Sequence, residues 1–140
     1  MQFKKILVPI DGSEHSLRAL RAAQALATSQ GATVTLLHCY DRIPMLIGGE
    51  PRQELTQELL EEGRKLMEPY AGVLSDAGMT PEIMLREGRP GHVIVEEARN
   101  GGFDLLVMGS RGLSDFEGML LGSVAHRVLS AAHCPVLVTR

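Results

Sequence analysis

A chain of 140 residues is the right size for one domain that buries its core without staples, and its 44% hydrophobic content is that of a globular protein. No apolar run approaches the ~18 residues needed to cross a bilayer, and a net charge of -3 with scattered Lys and Arg leaves no basic stripe for nucleic acid. Two cysteines, Cys39 and Cys134, are too few for a secreted disulfide scaffold. Both sit in apolar runs, where cysteine behaves as a small hydrophobe. With aromatic residues at only 4%, the core must be aliphatic.

Phe3 to Ile10 is a short, nearly continuous apolar run, as expected of a strand covered on both faces. Its apolar part after Lys4 and Lys5, Ile6 to Ile10, is halted by Asp11, so it is too short for a signal sequence and reads as the first strand of a cytoplasmic protein. Asp11-Gly12-Ser13 forms a turn, Ser13 caps a helix, and Gly31 ends it. Ala32 to Tyr40 is a second buried strand. Asp41 to Pro51 reads as a loop, apolar at Ile43, Met45, Leu46 and Ile47, either packed on the body of the domain or serving as a flap near a ligand or partner.

Glu54 to Ala77 is a long amphipathic helix striped by Leu55, Leu59, Leu66, Tyr70 and Leu74. Glu82 to Arg86 is a weaker third strand, and Pro90 opens a helix that runs through Arg99. Asp104 to Met108 is a fourth strand, Gly109 to Gly118 a loop, Leu120 to Ala132 a helix and Pro135 to Thr139 the last strand. Regular alternation of strands and helices implies a parallel sheet covered on both faces. Ligands of such sheets bind outside the carboxyl ends of the strands, which directs attention to the loops after strands one, two and four.

The fourth strand runs into a loop with the spacing Gly109-x2-Gly112-x9-Gly122-Ser123. Glycines there let backbone N–H groups approach an anion, and a helix starting near Gly122-Ser123 adds unpaired donors and a positive dipole end. Ser123 offers a hydroxyl and Arg111 a charge. A plain strand-to-helix connection also favours Gly and Ser, so the glycines alone leave that alternative open. There is no Gly-Lys-Ser/Thr of a P-loop and no Gly-x-Gly-x-x-Gly after the first strand.

This loop stands after Leu105-Leu106-Val107-Met108 and before Cys134-Pro135-Val136-Leu137-Val138, and the chain opens with Lys4-Lys5-Ile6-Leu7-Val8-Pro9-Ile10-Asp11-Gly12-Ser13. Leu36-Leu37-His38-Cys39 has the look of a matching second-strand end. Together these segments resemble the ATP-binding branch of the universal stress protein family, over essentially the whole chain. The resemblance implies a single domain over residues 1–140, a three-layer Rossmann-like α/β sandwich with five parallel strands in the order 3-2-1-4-5. It implies an adenine-nucleotide site in which Pro9, Ile10 and Asp11 lie at the adenosine end and Cys39 faces the base. Met108, Gly109, Ser110, Arg111 and Gly112 form the nucleotide loop, while Gly122, Ser123 and Val124 hold the phosphates. The implied ligand is ATP, AMP or ADP, with Mg2+ as a possible companion, and the implied assembly is a homodimer through the terminal strand 135–139. An edge strand is also a natural pairing surface.

The x9 stretch carries Asp115 and Glu117 but no Lys or Arg. Two carboxylates beside a triphosphate are unfavourable unless they point to solvent or share a divalent cation. None of the five histidines stands in a recognisable zinc spacing, and His38 reads as a satisfied core residue. A phosphoacceptor domain would need clustered acids after strand one, and a flavodoxin would need aromatic residues for the flavin. The function expected is an ATP-binding stress-response regulator with an unidentified protein partner and no dedicated catalytic residues. The alternatives are a nucleotide-free dimeric interaction module and a slow ATPase.

Overall fold

The computed structural model describes all 140 residues as five strands and four helices in strict alternation. The strands are β1 (Lys5–Pro9), β2 (Thr33–Tyr40), β3 (Glu82–Glu87), β4 (Leu105–Gly109) and β5 (Val136–Thr139). The helices are α1 (Glu14–Gln30), α2 (Gly49–Asp76), α3 (Pro90–Asn100) and α4 (Ser123–Ala131). All pairings are parallel, in the order β3-β2-β1-β4-β5. The expected Rossmann-like architecture and strand order are therefore observed.

Period-two alternation divides the sheet's aliphatic side chains between two cores. Ile6, Val8, Leu36 and Val107 face α1 and α2, where they meet Leu20, Ala23, Met67 and Leu74. Their neighbours Leu7, Leu37, Leu106 and Met108 face α3 and α4, against Ile94, Ala98, Ala125 and Val128. Each large side chain buried this way contributes roughly 1.5–3 kcal/mol. That is why the central strands are apolar at nearly every position and lack the polar alternation of a half-exposed sheet. The edge strands β3 and β5 are correspondingly more exposed, with Ile83 and Leu137 open to solvent.

The expected caps of α1 are present. Ser13 Oγ accepts from the Ser16 N–H at 3.2 Å, and Gly31 closes the helix in the left-handed region at φ 69°. Two helix starts differ from the sequence expectation. The long helix α2 begins at Gly49, five residues before Glu54, and includes Pro51. A proline in the first turn removes an N–H that has no helical partner, so Pro51 is no barrier there. By contrast α4 begins at Ser123, three residues after Leu120, whose side chain is exposed. The 41–48 connection is partly packed: Ile43 is buried and its N–H donates to Glu87 Oε1 at 2.8 Å, while Met45 and Leu46 stand fully exposed.

Candidate functional site

The chain winds outward from β1 through β2 to β3, then returns to place β4 on the other side of β1. The connections after β1 and β4 therefore diverge and leave a crevice at their carboxyl ends. A cleft partly open to solvent lies there.

Its floor is apolar. Pro9 and Ile10 at the end of β1, Leu37 and Cys39 near the end of β2, and Met108 at the end of β4 meet Ile94, Val124 and Ala125 from the second helical layer. Cys39 is a free, half-buried thiol whose pKa is pushed from 9.0 up to about 12, first by burial and then by the Glu97 charge. At neutral pH it is an uncharged apolar surface, as its surroundings in the sequence suggested. His38 also reaches the cleft. Its Nδ1–H donates to the Ile10 carbonyl at 2.8 Å and ties the end of β2 to that of β1, so it is a satisfied residue.

The polar rim is built from the β1 and β4 connections. Asp11 accepts from the Ser13 N–H at 2.9 Å and the Ser13 hydroxyl at 2.5 Å, both through Oδ1. This turn depends on Gly12, whose φ of 89° disfavours any side chain. The other oxygen, Oδ2, is aimed at Gly112, 2.8 Å from where a Cβ would stand on that residue. Across the rim, the Gly112 N–H donates to Asp115 Oδ2 at 2.7 Å. That same oxygen fills the space beside Gly122 that a Cβ would need. Gly122 caps α4 with extended backbone and no side-chain bond, so the first-turn N–H groups of this helix have no side-chain cap.

The cleft thus brings together Pro9, Ile10, Asp11, Cys39, Met108, Gly109, Arg111, Gly112 and Val124 of the expected set. Three others are placed differently. Ser110 is buried on the far side of the loop, where its backbone bonds Thr139 and Gly122. Gly122 is buried behind Asp115, and Ser123 opens onto the adjoining surface. Arg111 lines the cleft, but its guanidinium donates to the loop's own Phe116 and Glu117 carbonyls.

The sequence reading missed a group of arginines. Arg42, Arg89 and Arg127 share the surface beside Ser123 with His92, Glu87 and Glu96; the two carboxylates pair with Arg52 and His92, and none of the three arginines makes an ion pair. Arg127 lies over Gly91, where a Cβ would meet its Cγ at 2.9 Å. They come from three separate elements, so no local motif announces them. Only the knowledge that the loop after β2 and the starts of α3 and α4 converge at one sheet end would have found them.

His15, in the first turn of α1, packs under Gly109, and its Nδ1 lies 3.2 Å from an Arg18 Nη. Partial burial and the positive Arg111 and Arg18 push its pKa below 6.5, against the opposing pull of Asp11 and Glu14. The folded state therefore disfavours the proton. The stability this contributes is complete above about pH 6.5 and is lost as the pH falls from there through the lower folded value. Thermal melts between pH 7.5 and 5.5, values chosen to span roughly this window, are expected to show His15→Gln losing less stability than the parent. Parallel pH profiles would contradict the assignment.

A parallel sheet with an apolar cleft at its switch point and an uncapped helix start on the rim is a Rossmann-like α/β fold whose crevice lies where such sheets place their ligands. The chain belongs to the universal stress protein family, whose family model matches residues 2–140. It is 36% identical over 147 residues to universal stress protein YxiE of Bacillus subtilis, with 99% of each chain covered. Among solved structures it matches MJ0577 of Methanocaldococcus jannaschii with a TM-score of 0.88 and 35% identity, over 99% of this chain and 96% of that one. A universal stress protein in complex with cAMP matches with a TM-score of 0.77 and 26% identity, over 100% of this chain and 99% of that one.

Proposed function

We propose that this protein binds ATP or a related adenine nucleotide in the switch-point cleft and uses its occupancy as a regulatory signal in a cytoplasmic stress response. The observation that carries the reading is the cleft's division into an apolar floor and a polar rim that includes the uncapped start of α4. The base lies on the apolar wall that includes Ile10 and Cys39, and Asp11 accepts from the ribose. The phosphates run past Gly109, Gly112 and Gly122 to the amide groups of Ser123 and Val124, where the α4 dipole favours negative charge. Beyond Ser123 the tail meets Arg42, Arg89 and Arg127, which supply the cations that the 113–121 stretch lacks. Mg2+ on the phosphates offsets the nearby carboxylates. The relative in complex with cAMP supports an adenine nucleotide as the ligand class.

Occupancy reorders the Gly112–Gly122 loop, whose exposed Leu113, Phe116 and Leu120 then present a changed surface to a protein partner. The working unit is a homodimer paired through strand 135–139, where the edge of β5 is unpaired and Leu137 is exposed. The fully exposed Met45 and Leu46 favour a second reading, in which the chain is an interaction module and the glycine loop is structural.

Denaturing freshly purified protein and identifying the released nucleotide by chromatography and mass separates these readings. Stoichiometric ATP, or loading on titration with ATP and Mg2+, is the expected result. Protein that is empty and cannot be loaded would overturn the proposal. ADP formed in proportion to protein would add slow hydrolysis.

A further inference from the structure

We propose that Asp115 is a built-in anion that competes with phosphate for the glycine-loop cradle and selects among nucleotides by their charge. The inference rests on the adenine-nucleotide reading above and names a control within that same site. One carboxylate oxygen, Asp115 Oδ2, takes the Gly112 N–H at 2.7 Å and fills the space left by the missing side chain of Gly122. It therefore sits between the second and third glycines of the loop, beside the start of α4. A phosphate oxygen would seek the same two features, an amide hydrogen and room beside a helix N-terminus.

The loop is shaped to keep the carboxylate there. The Asp115 N–H returns to the Gly112 carbonyl at 3.3 Å, closing a tight turn around the contact. Just beyond it, Arg111 holds the Phe116 and Glu117 carbonyls, so the chain on both sides of Asp115 is anchored. Gly122 contributes space but no donor, because its N–H already donates to the Ser110 carbonyl at 2.6 Å. On the opposite side of Gly112 stands Asp11 Oδ2. An entering phosphate must displace Asp115 and then lies beside Asp11, with the displaced carboxylate still close by.

That repulsion scales with ligand charge. It is absent for adenosine, moderate for AMP and largest for ATP. Asp115 thus holds back highly charged nucleotides until a divalent cation or the neighbouring arginines compensate. Its displacement is the event that frees residues 113–121 to move.

The test is calorimetric titration of adenosine, AMP and ATP in the presence of EDTA, on the parent protein and on Asp115→Asn, Asp115→Ala and Glu117→Gln. Asparagine keeps an acceptor for the Gly112 N–H and removes only the charge. Both Asp115 variants are expected to bind ATP at least ~10-fold more tightly and AMP several-fold more tightly, with adenosine changed less than about twofold. Glu117→Gln, which neutralises a carboxylate outside the cradle, is expected to leave the ratio of ATP to adenosine affinity near the parent's. An unchanged or weaker ATP affinity in Asp115→Asn, with adenosine still bound, overturns the role of Asp115 and leaves the nucleotide reading standing. An equal gain in Glu117→Gln also overturns it, by reducing the effect to general surface charge. Failure of every variant to bind any of the three ligands overturns both. Thermal melts of the same samples verify that the surface-loop variants are folded.

Discussion

Replacing Gly122 with valine is expected to reduce ATP affinity at least ~100-fold, about 2.7 kcal/mol, while the fold survives. The backbone at Gly122 has φ -75°, so a side chain there meets no conformational penalty. What it meets is the cradle. Its Cβ would collide with the Asp115 carboxylate and approach the Arg111 Cα to 3.3 Å. The carboxylate is the free end of a surface-loop side chain and can swing away, so the effect on folding stays within about 1 kcal/mol. A phosphate has no such escape, because the isopropyl group fills the place where it must approach the α4 amides. Calorimetry gives the affinity and a thermal melt confirms the fold. Parent-like ATP affinity in a folded Gly122→Val protein would remove this segment from the site.

Gly109→Ala is expected to act on the fold itself, lowering stability by about 3 kcal/mol. A Cβ at residue 109 would stand 2.6 Å from the His15 Cβ, 2.9 Å from its carbonyl carbon and 3.0 Å from its carbonyl oxygen. These last two atoms belong to the backbone of α1, so relief requires shifting a helix whose buried face carries Ala19, Leu20 and Ala23. The glycine is there so that the end of β4 can pass directly over the first turn of α1. Urea denaturation measures the loss, and a change below about 1 kcal/mol would show that α1 can yield. The two substitutions separate glycines that look alike in the loop spacing. One makes room for packing and the other, on the proposed reading, for a phosphate.

That difference illustrates how much of the structure was legible in the chain. The parallel sheet covered on both faces followed from alternating elements and right-handed crossovers, whereas its strand order came only with the family resemblance, because alternation alone also allows orders such as 2-1-3-4-5. The α1 caps were legible because Ser13 and Gly31 do their work locally. Pro51 misled, since a proline in a first turn resembles a helix breaker unless its position in that turn is known. Leu120 misled in the opposite sense. It continues the apolar spacing of α4, but the loop bonds from Gly122 to Ser110 and from Arg111 to the 116 and 117 carbonyls hold the segment outside the helix.

The site was legible where it lies at strand ends and obscure where it depends on loop closure. Pro9, Ile10, Asp11, Cys39 and Met108 end or follow strands, so the topology alone assembles them around one cleft. Asp115 stood out in the sequence as a charge awkwardly near a phosphate site. The structure turns that charge inward onto the Gly112 amide, an orientation that spacing does not encode. The Arg42, Arg89 and Arg127 surface lies in three segments far apart in the chain, and each arginine alone is unremarkable. Ser110 was placed by its neighbours in the motif, yet its backbone bonds to Thr139 and Gly122 carry it to the buried side.

The measurement that bears most directly on nucleotide binding is an amide-resolved NMR titration of the protein with ATP and Mg2+. If the cleft is the site, the Gly112, Ser123 and Val124 amides move progressively and saturate together, with the largest shifts where phosphate replaces the Asp115 carboxylate. Amides of the distant β3 edge, such as Glu82 and Ile83, stay in place. Shifts absent from the Gly112 and α4 amides at saturating ATP, or spread evenly over the surface, would contradict a nucleotide site at this end of the sheet.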